Sequence, residues 1–473
     1  MQKNSNNLFT KQKVHFVGIG GISMSSLAAM YYERGGQVTG SDIKNSLRIS
    51  RLEKMGIEIF LQHSQENISD QDLLVYSSAI SNDNIEIKTA LDLNIPVISR
   101  AEFLTRLTSG QRVIAVSGTH GKTTTTAMIS EILLKAGIDP SVMIGGELNV
   151  LSGNYNQGKD DIFVIEADES DGSLINYRPW LGIITNLEAE HLNYYQDEAQ
   201  LIQTMKKFIS RINDEGYVIL NADDPIIRTY LIPYADDEIG AELLTFGINA
   251  GDFRADKIDA DGFFGYYNIL TDNKGVQDIK VNSPGRHNIL NSLAASAAAR
   301  ALGINWNKIR IALKDYGGVK RRFEKKGECG EIMVVDDYAH HPTEIFATYQ
   351  TAVKIGFDRV LTVFQPHRYT RTRALWDEFI DVLCQVKYLL ICDIYAANQE
   401  PISGINSQKL TDELISVRNN DRGWVNYAGG LKQAQNFLLS EVGPGDLVLT
   451  LGAGDVYEIG ENLLEVLRSN KGG

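Results

Sequence analysis

Cysteine is scarce. Three residues, Cys329, Cys384 and Cys392, stand in a chain of 473, an odd number with no CxxC or other paired spacing. That pattern excludes a disulfide-stapled scaffold and a cysteine-based metal site, and it predicts reduced thiols in a reducing compartment. Long apolar runs are missing too: no stretch of about 18 apolar residues occurs, and polar residues 1–13 hold no apolar signal core. No membrane insertion is expected. Positive charge is in deficit, with 46 Lys and Arg against 60 Asp and Glu, and the formal net charge of −14 repels nucleic acid and anionic bilayers alike. The expected setting is the cytoplasm, with no nucleic-acid partner. Any anionic ligand must then be met by local basic clusters and a divalent metal. No low-complexity tract and no internal repeat with a period of about 20–50 residues is present.

What remains is an ordinary globular composition, 43% hydrophobic and 22% charged, able to bury large cores. At roughly 150 residues per domain the length allows three. The chain is organised around Ala115-Val116-Ser117-Gly118-Thr119-His120-Gly121-Lys122-Thr123-Thr124. An apolar run from Val113 to Val116 enters a glycine turn, and a helix-like segment from Thr123 to Lys135 leaves it. This is the strand–loop–helix layout of a phosphate-binding loop: backbone N–H groups wrap phosphates, the lysine neutralises them and the threonine hydroxyl reaches Mg²⁺. It departs from G-x-x-x-x-G-K-[ST] in having Val116 at the first glycine position, with Gly118 two residues later. Binding of a nucleoside triphosphate, ATP, is the expectation.

The rest of the chain reads as alternating strands and helices, which implies parallel sheets with right-handed crossovers. Residues 1–108 open with Val14–Val17, a turn Gly18-Ile19-Gly20-Gly21, a helix from Ser23 to Glu33 and a strand ending at Ser41-Asp42. The turn is similar to a dinucleotide fingerprint with Ser23 in the third glycine place. It is either a tight turn or a site for a nucleotide diphosphate at Gly20, Gly21 and the helix N-terminus, NAD included. Residues 109–319 carry the phosphate loop and strands at Ile162–Glu166, Ile183–Leu187 and Tyr217–Asn221, whose polar ends face one cleft if the sheet is parallel. Short β-like runs from about 250 to 283 suggest an antiparallel insert. Pro284-Gly285-Arg286-His287-Asn288 opens an alanine-rich helix through Leu302, with Asn288 and Asn291 one turn apart. Residues 320–473 form a third α/β series, with strands near Ile332–Asp336, Arg359–Phe364, Tyr388–Ile394 and Asp446–Thr450 and helices at Glu344–Val353 and Ala374–Val386. The fold class is therefore α/β in three domains: an N-terminal Rossmann-like parallel sheet, a central P-loop ATPase-type domain and a C-terminal Rossmann-like domain.

Three clusters carry candidate chemistry. Glu166 and His191 stand at or just past strand ends near the Thr123 hydroxyl, and one threonine with one carboxylate suffices for Mg²⁺ on a nucleotide. His191 is either a ligand to a second divalent ion, more typical of Mn²⁺ than Mg²⁺, or a hydrogen-bonded structural histidine. Asp336-Asp337-Tyr338-Ala339-His340-His341-Pro342-Thr343-Glu344 follows a strand; Pro342 and Glu344 suit a helix start, but the titratable groups before them need another reason. His367-Arg368-Tyr369-Thr370-Arg371-Thr372-Arg373 is an island of positive charge in an acidic chain, either an anion clamp or a solvated basic loop. Arg321-Arg322 could serve the same anion.

Taken together, these motifs resemble the Mur ligases, ATP-dependent amide-forming enzymes of peptidoglycan precursor synthesis. The carriers are residues 118–123 (Gly-Thr-His-Gly-Lys-Thr), 166–171 (Glu-Ala-Asp-Glu-Ser-Asp), 185–191 (Thr-Asn-Leu-Glu-Ala-Glu-His) and 286–291 (Arg-His-Asn-Ile-Leu-Asn), with 321–324, 336–344 and 365–372 completing seven in family order. The resemblance implies ligation of L-alanine to the lactyl carboxylate of UDP-N-acetylmuramate through an acyl phosphate. The N-terminal glycines then serve a UDP-sugar rather than NAD, with Gly20, Gly21, Asp42, Ser77 and Ser78 as candidates. ATP falls to Gly118, Thr119, His120, Gly121, Lys122, Thr123 and Thr124, with His287, Asn288 and Asn291 at its adenine end and Arg322 and Asp337 also on the cofactor. Thr123, Glu166 and His191 are implied as metal ligands, for Mg²⁺ or Mn²⁺. Lys122, Glu166, His191, Tyr338, His340, His341, Arg368 and Arg371 are the implied catalytic set, the third-domain groups lying near L-alanine and the sugar nucleotide. Hinge closure between domains is expected, in a monomer or homodimer. Three rivals stand beside this: a recycling ligase adding a tripeptide to the same sugar nucleotide, disfavoured by Ser170; an NAD-dependent oxidoreductase; and a regulatory P-loop ATPase.

Overall fold

The computed structural model describes residues 11–151, 153–169, 172–188, 195, 197–271, 275–418 and 423–471. The chain divides into two compact units, residues 1–256, 268–279 and 290–317 in the first and 257–267, 280–289 and 318–473 in the second.

The first unit opens with strands β1 to β5 (Lys13–Val17, Gln37–Ser41, Glu58–Phe60, Leu73–Tyr76 and Val97–Ser99) in the order β3-β2-β1-β4-β5. Every neighbouring pair is parallel. Strands covered by helices on both faces carry largely apolar runs, and Phe16, Val17, Leu74 and Val75 are fully buried. Strand order reverses between β1 and β4, the place where open α/β sheets bind ligands beyond their strand ends. The next strands are β6 to β12 (Arg112–Ser117, Ser141–Leu148, Gly153–Asn156, Ile162–Glu166, Leu181–Ile184, Tyr217–Asn221 and Glu242–Gly247), ordered β12-β11-β10-β6-β9-β7-β8. They are parallel except for β8, which runs antiparallel to β7. One continuous apolar core serves both sheets, from Phe16 and Phe103 to Phe163 and Phe208. Arg34 reinforces that junction, donating to the Leu107 carbonyl at 2.5 Å, Gln157 at 2.8 Å and Gln111 at 3.0 Å.

Strand β6 lies between β9 and β10, so the segments leaving β9 and β10 flank the phosphate loop that leaves β6. The strand expected at 183–187 ends at Ile184, because Thr185 and Asn186 turn their side chains onto that loop. The β-like runs expected between about 250 and 283 are β13 (Phe253–Asp261), β14 (Phe264–Leu270) and β15 (Val276–Val281).

The second unit is built on β16 to β21 (Glu324–Cys329, Ile332–Asp337, Arg359–Phe364, Tyr388–Cys392, Trp424–Gly429 and Asp446–Leu451) in the order β16-β17-β21-β18-β19-β20. Only β16 is antiparallel. Its two faces carry separate cores, one around Phe364 and Phe379 and one around Leu390 and Leu463. The helix expected over Ala374–Val386 is shorter, Trp376–Leu383, and the basic segment read as a loop at 367–373 holds a separate helix, Tyr369–Ala374; Leu375, at φ −111° and ψ 28°, divides the two. Among the described residues no helix is long and apolar enough to cross a membrane.

Candidate active site

The phosphate loop is held by residues from its flanking strands. Thr119 N–H donates to the Asn186 carbonyl at 3.0 Å, and His120 N–H to Asn186 Oδ1 at 2.9 Å. The His120 carbonyl accepts from Thr185 Oγ1 at 2.6 Å and Asn186 Nδ2 at 2.9 Å. Glu188 N–H donates to Thr119 Oγ1 at 2.9 Å, and the Glu188 carboxylate faces His120 Nε2 at 3.3 Å. Two positions demand glycine. Gly118 and Gly121 adopt φ of +123° and +81°, in the left-handed region. A Cβ on Gly118 would lie 2.2 Å from Thr185 Oγ1, and one on Gly121 would lie 2.3 Å from Asn291 Oδ1. Asn291 is therefore buried against the back of the loop, where its Oδ1 also accepts from Thr125 Oγ1 at 3.3 Å.

The loop's charged groups form one cluster. Lys122 Nζ donates to the Gly118 carbonyl at 2.6 Å, the Thr119 carbonyl at 3.1 Å and both Glu169 oxygens at 3.0 and 2.9 Å. Burial alone would lower the Lys122 pKa, but Glu169, Asp168 and Glu166 outweigh it and raise it. Thr123 Oγ1 lies 3.0 Å from each Glu166 oxygen, and Gly145 N–H donates to Glu166 Oε2 at 2.8 Å. A threonine hydroxyl beside a carboxylate is the oxygen donor set that Mg²⁺ takes on a nucleotide, so these residues fit that ion. Thr124 is buried in the first turn of helix Lys122–Ala136. His191, like Ser170, lies outside the described residues.

At the switch point of the first sheet, Gly20 N–H donates to Asp42 Oδ2 at 2.9 Å and the Gly20 carbonyl accepts from Arg48 Nε at 2.9 Å. Gly21 caps helix Ile22–Glu33, and Ser77 N–H bonds the Val17 carbonyl at 3.2 Å. Gly20, Gly21, Asp42 and Ser77 thus gather where β1, β2 and β4 end, with the exposed Ser78 next to them.

In the second unit, Arg321 and Arg322 separate into different roles. Arg321 donates to Asp336 at 3.1 Å and to the Gly454 and Gly452 carbonyls at 2.9 and 2.5 Å, with Tyr338 and Tyr457 rings 5.1 and 4.6 Å from its guanidinium. It ties strand ends together. Arg322 sits 5.2 Å from the Tyr338 ring and opposes the effect of burial on Asp337. Burial still pushes Asp337 up to about 7 while its oxygens accept from Phe323 and Ala339 N–H at 2.7 Å each. Beyond β17 and β18, four rings follow one another: Tyr338 and His340 at 5.4 Å, His340 and His367 at 5.7 Å, and His367 stacked on Tyr395 at 5.5 Å. Burial, with Arg371 adding to it, lowers His340 to about 4, and burial with His340, Arg371 and Arg368 lowers His367 to about 3. Both imidazoles are neutral near pH 7. Arg371 Nη1 lies 3.4 Å from His367 Nδ1, and Arg368, at φ +71°, donates its N–H to the Tyr395 carbonyl. His341 caps helix Pro342–Lys354, whose Glu344 accepts from His340 and His341 N–H at 3.1 and 3.4 Å. His287 lies against Gly285, and Asn288 Nδ2 donates to the Pro284 carbonyl at 2.7 Å.

Sequence reasoning quoted Glu169 and Asn186 within motifs but gave them no role, and it missed Tyr395. Each is a polar residue just past an apolar strand, and strand order was needed to aim it.

Family models match three consecutive stretches: the "Mur ligase family, catalytic domain" over residues 13–112, the "Mur ligase middle domain" over 116–299 and the "Mur ligase, glutamate ligase domain" over 321–454. A UDP-N-acetylmuramate–L-alanine ligase of Syntrophobacter fumaroxidans is 41% identical over 98% of this chain and 97% of its own length. The chain belongs to the Mur ligase family. This Mur ligase is also similar to the solved UDP-N-acetylmuramate–alanine ligase of Thermotoga maritima, at a TM-score of 0.81 and 29% identity over 97% of this chain and 100% of that one. The murein peptide ligase of Psychrobacter arcticus matches with a TM-score of 0.66 and 27% identity over 96% of this chain and 98% of that one.

Proposed function

We infer that this Mur ligase joins L-alanine to the lactyl carboxylate of UDP-N-acetylmuramate with hydrolysis of ATP to ADP and phosphate. The observation that carries the reading is the near-complete alignment, 41% identical over 98% of the chain, with a relative of that name. The higher TM-score to an alanine ligase, 0.81 against 0.66, favours L-alanine over the peptide handled by a recycling ligase.

The residues support a division of labour by domain: sugar nucleotide on 1–108, ATP on 109–319 and amino acid on 320–473. Gly20, Gly21, Asp42, Ser77 and Ser78 take the UDP portion, on backbone N–H groups and a helix N-terminus suited to a diphosphate. Gly118 to Thr124 take the ATP phosphates, with Lys122 as their cation, and His287, Asn288 and Asn291 the adenine end. Thr123 and Glu166 would hold Mg²⁺, with His191 as a candidate for a second ion, Mn²⁺ included; the metal would screen the negative charge of the phosphates. The lactyl carboxylate attacks the γ-phosphorus, giving an acyl phosphate and ADP. The free amine of L-alanine then attacks the acyl carbon, loses a proton, and phosphate departs. Such transfers depend on positioning and charge neutralisation. Arg368 and Arg371 supply cationic forks for the carboxylates, and Arg322 and Asp337 are assigned to the nucleotide. Tyr338, His340 and His341 are assigned to the amino acid, and the uncharged imidazole of His340 gives an incoming amine an unprotonated neighbour. The cytoplasm, where these nucleotides are held, is the proposed compartment, and a monomer or homodimer the proposed state.

Mass spectrometry of a reaction containing ATP, Mg²⁺, UDP-N-acetylmuramate and L-alanine tests this directly. It should reveal the sugar nucleotide carrying one alanyl residue; ADP without that product would refute the reading.

A further inference from the structure

We propose that Glu169 is a positioning residue that competes with phosphate for Lys122, so that the loop accepts a nucleotide together with its metal and resists the metal-free nucleotide. This rests on the ATP-ligase reading above. An ammonium has three N–H donors and no more. Those of Lys122 are engaged by the Gly118 carbonyl at 2.6 Å, the Thr119 carbonyl at 3.1 Å and the Glu169 carboxylate at 2.9 and 3.0 Å. A phosphate oxygen can therefore bond Lys122 only by exchanging with one of the three.

The two carbonyls belong to a backbone fixed by the Thr119 N–H bond to Asn186 and by the left-handed glycines on either side. Glu169 is the partner that a side-chain rotation can release. It is not loosely held: its side chain is 1% exposed, and its backbone carbonyl accepts from the buried Tyr195 hydroxyl at 2.6 Å. The pair is thus shielded from bulk screening, where a charge-assisted hydrogen bond is strongest. Asp168 lies 4.0 Å from the same ammonium, and Glu166 sits on Thr123. A phosphate that displaces Glu169 without a counter-ion meets three carboxylates close at hand. One that arrives with a divalent cation brings positive charge to those same oxygens. The acidic residues around the lysine make metal a condition of entry.

The test measures binding of ATP to the full-length chain by isothermal titration, once with Mg²⁺ and once in EDTA, for the unsubstituted protein, Glu169→Gln and Glu169→Asp. Glu169→Gln keeps the shape and removes the charge. Its Kd in EDTA should fall about 10-fold, the lower end for loss of a competing hydrogen bond to a charged group, and its Kd with Mg²⁺ should fall less. Glu169→Asp, a milder change that shortens the reach to Lys122, should show a smaller tightening in the same direction. A merely structural role would weaken binding alongside a lowered melting temperature. Unchanged or weaker binding of metal-free ATP by both variants overturns the proposal. Failure of the unsubstituted protein to bind ATP with Mg²⁺ would instead overturn the proposed function.

Discussion

Thr123 Oγ1 stands 3.0 Å from both carboxylate oxygens of Glu166, which brings the end of β9 onto the first turn of the helix leaving the phosphate loop. Together they offer oxygens to a hard cation. Glu166→Gln should lower the ligation rate by about 10²-fold, the usual cost of losing one preorganised electrostatic group. It should also raise the Mg²⁺ concentration for half-maximal rate. A titration of rate against Mg²⁺ reads both, and an unchanged metal requirement would remove Glu166 from the metal.

Gly121 has two reasons to be glycine. Its φ is +81°, and a Cβ there would lie 2.3 Å from Asn291 Oδ1. Gly121→Ala should cost about 1–3 kcal/mol in stability through backbone strain alone. Ligation should fall more steeply, because Lys122 follows directly. Adding Asn291→Ala to Gly121→Ala should recover part of the stability, since it removes the clash but not the strain. Calorimetric melting of the three proteins checks the order.

The imidazole of His340 predicts a pH effect. Its folded pKa is about 4, lowered mainly by burial, against an ordinary value of 6.5. Between those values the unfolded chain binds more protons than the folded one, so stability is full above pH 6.5 and falls as pH drops toward 4. The slope for one proton is at most about 1.4 kcal/mol per pH unit. Asp337, raised to about 7, acts oppositely and weakens the fold as pH rises. His340→Asn should therefore lose less stability than the unsubstituted protein between pH 6.5 and 4. Urea unfolding across that range is the measurement.

Glu131 offers the reverse case in the first unit. It accepts from Gly317 N–H at 3.1 and 3.2 Å, and burial holds its pKa up at about 7. The folded state keeps a proton that the unfolded chain releases from about pH 4.5 upward, so stability is lost as pH rises through 7. Glu131→Gln retains an acceptor for Gly317 and carries no charge. It should be more stable than the unsubstituted protein at pH 8, by about 1–3 kcal/mol, and equal to it below pH 4.5.

Much of this was legible in the sequence, for identifiable reasons. The phosphate loop, the three α/β series and the ends of β1, β9 and β17 announce themselves because apolar runs and glycine turns are local signals. What failed was anything decided by neighbours. Arg321 and Arg322 are adjacent in sequence, yet the first binds strand-end carbonyls and the second faces Asp337. Asn186 and Glu169 reach the phosphate loop only because β6 is flanked by β10 and β9, an order that no periodicity encodes. The short helix Tyr369–Ala374 went unread because its sequence, Tyr-Thr-Arg-Thr-Arg-Ala, has no apolar periodicity.

The central claim is that hydrolysis of ATP is coupled to joining L-alanine to a sugar nucleotide. Phosphate release by the purified protein, followed across a panel of omitted and substituted substrates, tests it most directly. Release should require ATP, Mg²⁺, UDP-N-acetylmuramate and L-alanine together, and should stop when any one is left out. Release with a tripeptide in place of L-alanine would contradict the acceptor assigned here, and release indifferent to both acceptor and sugar nucleotide would contradict ligation itself.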